Sequence, residues 1–321
     1  MYFKRLTLVA LITCGIAYLT GFLFDDLYRK RWATIFFDKT NAIVKDSTYH
    51  DIILLGDSRV HFGINPYYFD SVTNMDSYNL GYGGADAQEI MMINNVYLMQ
   101  HPKPQLAILS LNLGGMTKNE TLKTRFHALY YLDNDTINKY MNETGFLTGL
   151  MKIFPFTKYS FFDEYNRTSL FLKGKEIPVF DHNIYGGFIN IHPNKNSEAP
   201  DLYNIKRRYD SLWLPSIDHV RNTVSALIKK GITVVIIAPP ERKSSIYRGT
   251  TFRKLTDSIF SRIAAENNIR YLHFEDDHLY TDEYFVDDVH LNEPGTKLFS
   301  VKLADSIKQF YPLLKKAGKE N

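Results

Sequence analysis

The chain has 321 residues, 45% of them hydrophobic and 23% charged, a composition that suits one large globular domain or two modest ones. Its 38 Lys and Arg against 35 Asp and Glu leave a formal charge of +3, which excludes a strongly basic nucleic-acid binder and an acidic disordered tail. The single cysteine excludes an intrachain disulfide and a cysteine-based zinc site.

Leu6 to Phe24 is a run of 19 residues without Asp, Glu, Lys, Arg or His. As a helix it would span about 28 Å, close to the hydrocarbon thickness of a bilayer. Lys4 and Arg5 precede the run, and Asp25 and Asp26 follow it. This bias predicts a cytoplasmic amino-terminal stub and a single-pass anchor within residues 1–30, with the rest of the chain extracytoplasmic. A cleaved signal peptide, or a lipoprotein joined through Cys14, is the alternative, but no small-x-small cleavage site follows the run.

Beyond the anchor, residues 31–321 read as an α/β domain. Short apolar runs bounded by turn residues predict five strands of a mostly parallel sheet: Asp51–Gly56, Ser77–Leu80, Leu106–Leu111, Thr233–Ala238 and Ile269–His273. Helix-like stretches alternate with them over Ala87–Met99, Ile217–Lys230, Phe252–Asn267 and Glu293–Phe310. That rhythm predicts a sheet flanked by helices on both faces, with ligands gathering at the carboxyl ends of the strands. Residues from about 114 to 208 break the rhythm. They are rich in Tyr, Phe and Asn, as in Phe154-Pro-Phe156, Tyr159-Ser-Phe-Phe162 and Tyr185-Gly-Gly-Phe188. An insertion of this length reads as a cap over the sheet edge or as irregular packing against a helix.

No phosphate-binding glycine motif is present, so no cofactor is expected. Three strand ends carry chemistry instead. Gly56-Asp57-Ser58-Arg59 follows the first predicted strand and exposes a serine hydroxyl at the start of the next turn. Asn79-Leu-Gly81-Tyr-Gly83-Gly84-Ala85 follows the second, where small residues let a main-chain N–H approach a reacting carbonyl. Asn112 follows the third and offers a side-chain amide. Late in the chain, Asp287-Asp288-Val289-His290 precedes the last predicted helix, which Asn292 can cap. An aspartate three residues before a histidine can fold back to accept the Nδ1 proton, leaving Nε2 as a base. Asp288 has tighter spacing and is the weaker candidate for that role.

Taken in chain order, these segments resemble the SGNH (GDSL-like) hydrolase superfamily. Gly56-Asp57-Ser58 matches its first block, Gly84 falls at the glycine of its second block, and Asp287-x-x-His290 matches its fifth. The resemblance implies a catalytic triad of Ser58, His290 and Asp287. It implies an oxyanion hole formed by the Ser58 and Gly84 N–H groups with Asn112. The chain departs from the family at the third block, where Leu111-Asn112-Leu113-Gly114 replaces Gly-x-Asn-Asp. With the anchor, this points to the membrane-anchored, envelope-modifying branch, which serves teichoic acid D-alanylation and polysaccharide O-acetylation. The expected activity is serine-dependent ester hydrolysis or O-acyl transfer, with an acylated envelope glycan as partner and a membrane acyltransferase as a possible second one. A non-catalytic scaffold subunit of the same fold is the alternative.

Other polar residues have simpler readings. Arg59 is expected to pair with a surface acid or, as the alternative, to hold an anionic substrate group, and His61 to point away from Ser58. Glu275-Asp276-Asp277-His278 is read as a solvated loop, and no metal site is expected.

Overall fold

A computed structural model describes residues 2–31, 35–111, 113–116, 126–143, 148–155, 157, 186–189, 214–245, 251–275 and 277–316. Contacts divide the chain into two units: Met1–Val44 with Thr121–Pro178, and Lys45–Glu120 with Val179–Asn321.

In the first unit, α1 (Tyr2–Arg31) and α2 (Ile35–Lys45) are followed, after the chain returns, by a 3₁₀ turn at Phe126–Tyr131, α6 (Asp135–Glu143) and α7 (Thr148–Ile153). The α1 segment Tyr2–Leu23 is long and apolar enough to cross a membrane, and it leaves Leu8, Leu11, Ile12 and Leu19 exposed. The amine of Lys39 and the ring of His127 are buried in this unit. Burial holds the Lys39 amine well below its usual range, and burial with the Lys39 charge lowers His127 to about 3.

The second unit holds the sheet, with strands β1 (Ile52–Gly56), β2 (Ser77–Asn79), β3 (Leu106–Ser110), β4 (Thr233–Ala238) and β5 (Arg270–His273). They lie in the order β2-β1-β3-β4-β5, and every pairing is parallel. The helices between them are α3 (Ser58–His61), α4 (Pro66–Thr73), α5 (Ala87–Gln100), α8 (Leu214–Lys229) and α9 (Thr251–Glu266), with α10 (Glu293–Phe310) last. This is the three-layer α/β architecture that the alternation of strands and helices predicts.

Strand periodicity explains the layers. Ile52 and Leu54 of β1, Leu106 and Ile108 of β3, and Val235 and Ile237 of β4 join Phe69 of α4 and Phe299, Leu303 and Ile307 of α10 in one buried cluster. The intervening Ile53, Leu55, Leu109 and Ile236 are equally buried and face the opposite side, because successive strand residues alternate. Both faces of the central strands are therefore covered, and the strands read as continuous apolar runs. Helix α4 was not foreseen. Its eight residues are too few for a clear 3.6-residue pattern, although Asn65 caps it and Pro66 sits in its first turn.

Of the expected insertion, 117–125, 144–147, 156, 158–185 and 190–208 lie outside the described residues. The expected cap over the sheet edge therefore lies largely there as well. Gly186 is described, and its carbonyl accepts the Asn79 N–H at 2.7 Å.

Candidate active site

The site starts at the end of β1, where the backbone passes very close to its neighbours. A Cβ on Gly56 would lie 2.3 Å from the Ser110 carbonyl oxygen and 2.4 Å from Val60 Cγ2, so only glycine fits there. The chain then turns into α3. The buried Asp57 carboxylate accepts the Arg59 N–H at 2.9 Å, and the Asp57 carbonyl accepts those of Val60 and His61. These bonds fix the single turn that presents Ser58 at its first position.

The loop before α10 supplies the partners. Asp287 Oδ1 accepts the Val289 and His290 N–H groups, both at 2.9 Å, and Oδ2 lies 2.7 Å from His290 Nδ1. His290 Nε2 lies 2.8 Å from Ser58 Oγ. Residues 232 positions apart thus form a continuous relay from carboxylate to imidazole to hydroxyl. Burial pushes the Asp287 carboxyl up, but the hydrogen bond and charge of His290 and the two N–H donors outweigh it. The carboxyl stays below its usual range and is ionised at neutral pH.

Neighbouring elements hold this loop in shape. The Val286 N–H donates to the His290 carbonyl at 2.8 Å, and Phe285 bridges to Leu291. The Arg242 N–H donates to the Asp288 carbonyl at 3.1 Å, which ties this loop to the segment after β4. Asn292 caps α10 by accepting the Gly295 N–H, and its own amide donates to the Glu283 carbonyl.

The loop after β2 runs alongside α3. The Leu80 N–H donates to the Leu54 carbonyl and the Tyr82 N–H to the Gly56 carbonyl. The Ala85 N–H closes a turn onto the Tyr82 carbonyl, with Gly84 at φ +77° in its third position. That conformation favours glycine and resembles a type II turn. Among the described residues, no acceptor takes the main-chain N–H of Ser58 or Gly84. Asn112 lies outside the described residues.

Two expectations are corrected. Arg59 pairs with a buried acid, not a surface one: its guanidinium lies 3.7 Å from the Glu275 carboxylate, and both side chains are 7% exposed. Arg253 also binds Glu275, at 2.8 and 3.0 Å, and approaches Glu241. Glu275 therefore belongs to a buried ion-pair network, not to a solvated loop. Burial raises its carboxyl, and the Arg59 and Arg253 charges oppose the rise. Its neighbour Asp277 pairs with Lys302. Asp257, His273 and Glu275 bring ligand atoms within 4.8 Å of one another, but the two guanidinium groups on Glu275 already compensate its charge.

The contact that His61 makes with the turn after β2 is not visible in the sequence. Its Nδ1 accepts the Gly83 N–H at 3.1 Å. The available signal was its position three residues after the serine, on the same helical turn.

The fold and the site define a three-layer α/β protein with a Ser–His–Asp relay at the carboxyl edge of a parallel sheet. No protein-family model matches the sequence, and a search of curated proteins finds no match. Solved structures similar to it include a Bacteroides fragilis protein classed as an acylhydrolase, at 10% identity and TM-score 0.42, covering 88% of this chain and 96% of that one. A GDSL-like lipase from Bacteroides thetaiotaomicron matches at 8% identity and TM-score 0.37, covering 86% and 99%. An active-site mutant of a family two carbohydrate esterase from Clostridium thermocellum matches at 9% identity and TM-score 0.40, covering 84% and 66%.

Proposed function

We propose that the protein is a serine-dependent ester hydrolase or O-acyltransferase that acts on acyl groups of a cell-envelope glycan. The observation that carries this reading is the relay, with Asp287 on His290 Nδ1 and His290 Nε2 on Ser58 Oγ. His290 Nε2 takes the Ser58 proton as Oγ bonds to the ester carbonyl carbon. Negative charge gathers on the carbonyl oxygen, towards which the Ser58 and Gly84 N–H groups donate. Asp287 holds the imidazole in the tautomer with Nε2 free and stabilises the imidazolium. The carbon–oxygen bond to the leaving alcohol then breaks, and the Nε2 proton passes to that oxygen. Water or a sugar hydroxyl, losing its proton to His290 Nε2, then bonds to the acyl carbon; the carbon–Oγ bond breaks and the Nε2 proton returns to Ser58 Oγ. Water as acceptor makes the protein an esterase, and a sugar hydroxyl makes it a transferase.

The envelope setting is supported by the apolar helix Tyr2–Leu23 and by Lys4 and Arg5 at its start, which favour an anchored, extracytoplasmic domain. A non-catalytic scaffold would have no need of an acceptor–donor chain ending on a serine hydroxyl. The test is Ser58→Ala in the full chain in detergent micelles. The variant should lose labelling by a fluorophosphonate probe and hydrolysis of p-nitrophenyl acetate, while undiminished labelling would remove Ser58 from the nucleophile role.

A further inference from the structure

We infer that His61 is a positioning residue that ties the Gly84 oxyanion donor to the helical turn carrying the nucleophile. The inference rests on the serine-dependent reading above. His61 ends the single turn of α3 that begins at Ser58, and its side chain is fully buried. Because Nδ1 accepts the Gly83 N–H at 3.1 Å, the ring is neutral and carries its proton on Nε2. Gly83 and Gly84 are the two central residues of the turn closed by Ala85 and Tyr82. The Gly84 N–H belongs to the central peptide of that turn, which the closing hydrogen bond leaves unused. The turn itself leans on β1 through the Tyr82 N–H and the Gly56 carbonyl at 3.0 Å. The His61 bond adds a tie to the helix that carries Ser58, so the two oxyanion donors, Ser58 and Gly84, share one rigid frame.

The next ring extends that frame to the base. Phe62 stacks on His61, with centroids 4.5 Å apart and planes at 20°. Its edge meets the His290 ring with centroids 5.9 Å apart at 71°. A Cβ on Gly83 would lie 3.0 Å from Phe62 Cζ, so the turn packs directly on this ring. One turn of helix therefore carries the nucleophile at its start and braces both the oxyanion turn and the general base at its end. Oxyanion stabilisation is sensitive to such bracing, because donors act at full strength only when aimed at the developing charge, and misplacement by about 1 Å costs up to about 100-fold.

The test uses the full chain in detergent micelles and two substitutions. His61→Phe keeps a ring to stack on Phe62 but removes the acceptor. His61→Asn places Oδ1 where Nδ1 stood and can still accept the Gly83 N–H. With p-nitrophenyl acetate, His61→Phe should lower kcat about 10- to 100-fold with KM changed less than about threefold, and His61→Asn should recover at least about tenfold of the loss. Should the Phe variant fail to fold, His61→Leu takes its place as the variant without an acceptor. The inference is overturned if kcat of the Phe variant stays within about twofold of the parent. It is equally overturned if the Asn variant is no faster than the Phe variant at matched melting temperature. Ser58→Ala, run alongside, separates the two ideas. If it remains active the serine reading fails, whereas if it is silent and His61→Phe matches the parent, only the positioning role fails.

Discussion

Replacing Asp287 by Asn tests the relay through its geometry. In the parent, Oδ1 accepts two main-chain N–H groups at 2.9 Å, and Oδ2 faces His290 Nδ1 at 2.7 Å. An asparagine here has one acceptor and one donor end. The two N–H groups can be satisfied only by the amide oxygen, so the NH2 group is turned towards His290. Nδ1 must then accept, and the ring proton moves to Nε2, the atom that has to receive the Ser58 proton. The expected loss in kcat is about 10³- to 10⁴-fold, equivalent to about 4–5.5 kcal/mol of transition-state stabilisation. Asp287→Ala leaves the imidazole free to choose its tautomer and should be the faster of the two variants. Initial rates of p-nitrophenyl acetate hydrolysis, with melting temperatures to show that both variants are folded, provide the measurement. An Asn variant retaining a tenth or more of the parental kcat, or one faster than Asp287→Ala, would refute this account of the relay.

Further expectations concern the frame around the site. Gly56→Ala drives a methyl group into the Ser110 carbonyl and Val60, and should destabilise the protein by about 1–3 kcal/mol or more, read by chemical denaturation. Glu275→Gln removes the charge that faces the buried Arg59 guanidinium, while Arg253 keeps its approach to Glu241 at 3.9 Å. A loss of about 3 kcal/mol in the same assay is expected, and an unchanged midpoint would show that the network is not held by charge. Asp70 in α4 is raised to about 7 by burial, against the opposing hydrogen bonds from the Ser77 hydroxyl and N–H and with a further upward push from Asp76. A carboxyl raised in the folded state holds a proton that the unfolded chain releases, so its contribution is complete below about pH 4 and is lost as pH rises to about 7. Asp70→Asn should flatten that slope and raise stability at neutral pH by about 2 kcal/mol, measured as denaturation midpoints across the range.

Much of the architecture is legible in the order of the residues. Apolar runs such as Ile52–Leu55 and Val234–Ile237 mark strands buried on both faces, because a parallel sheet between two helical layers leaves no polar side. Glu293–Phe310 could be read to its ends because Asn292 caps it and Pro294 stands in its first turn. The spacing of Asp287 and His290 is a local property, and local geometry is what a sequence encodes most directly. Arg59 and Glu275 were misread for the opposite reason. Their pairing joins the turn after β1 to the segment after β5, a contact set by the sheet order β2-β1-β3-β4-β5, which no run of residues displays.

The alternation of strands and helices, the apolar amino-terminal helix and the short segments with reactive groups follow from residue order alone, since each depends on neighbours within a few positions. Long-range packing sets the rest: His290 meets Ser58 at 2.8 Å, His61 reaches the turn after β2, and Arg59 turns inward to a buried acid. Those distances depend on how the strand ends converge at one edge of the sheet, where packing of the two helical layers, acting over the whole chain at once, sets the positions.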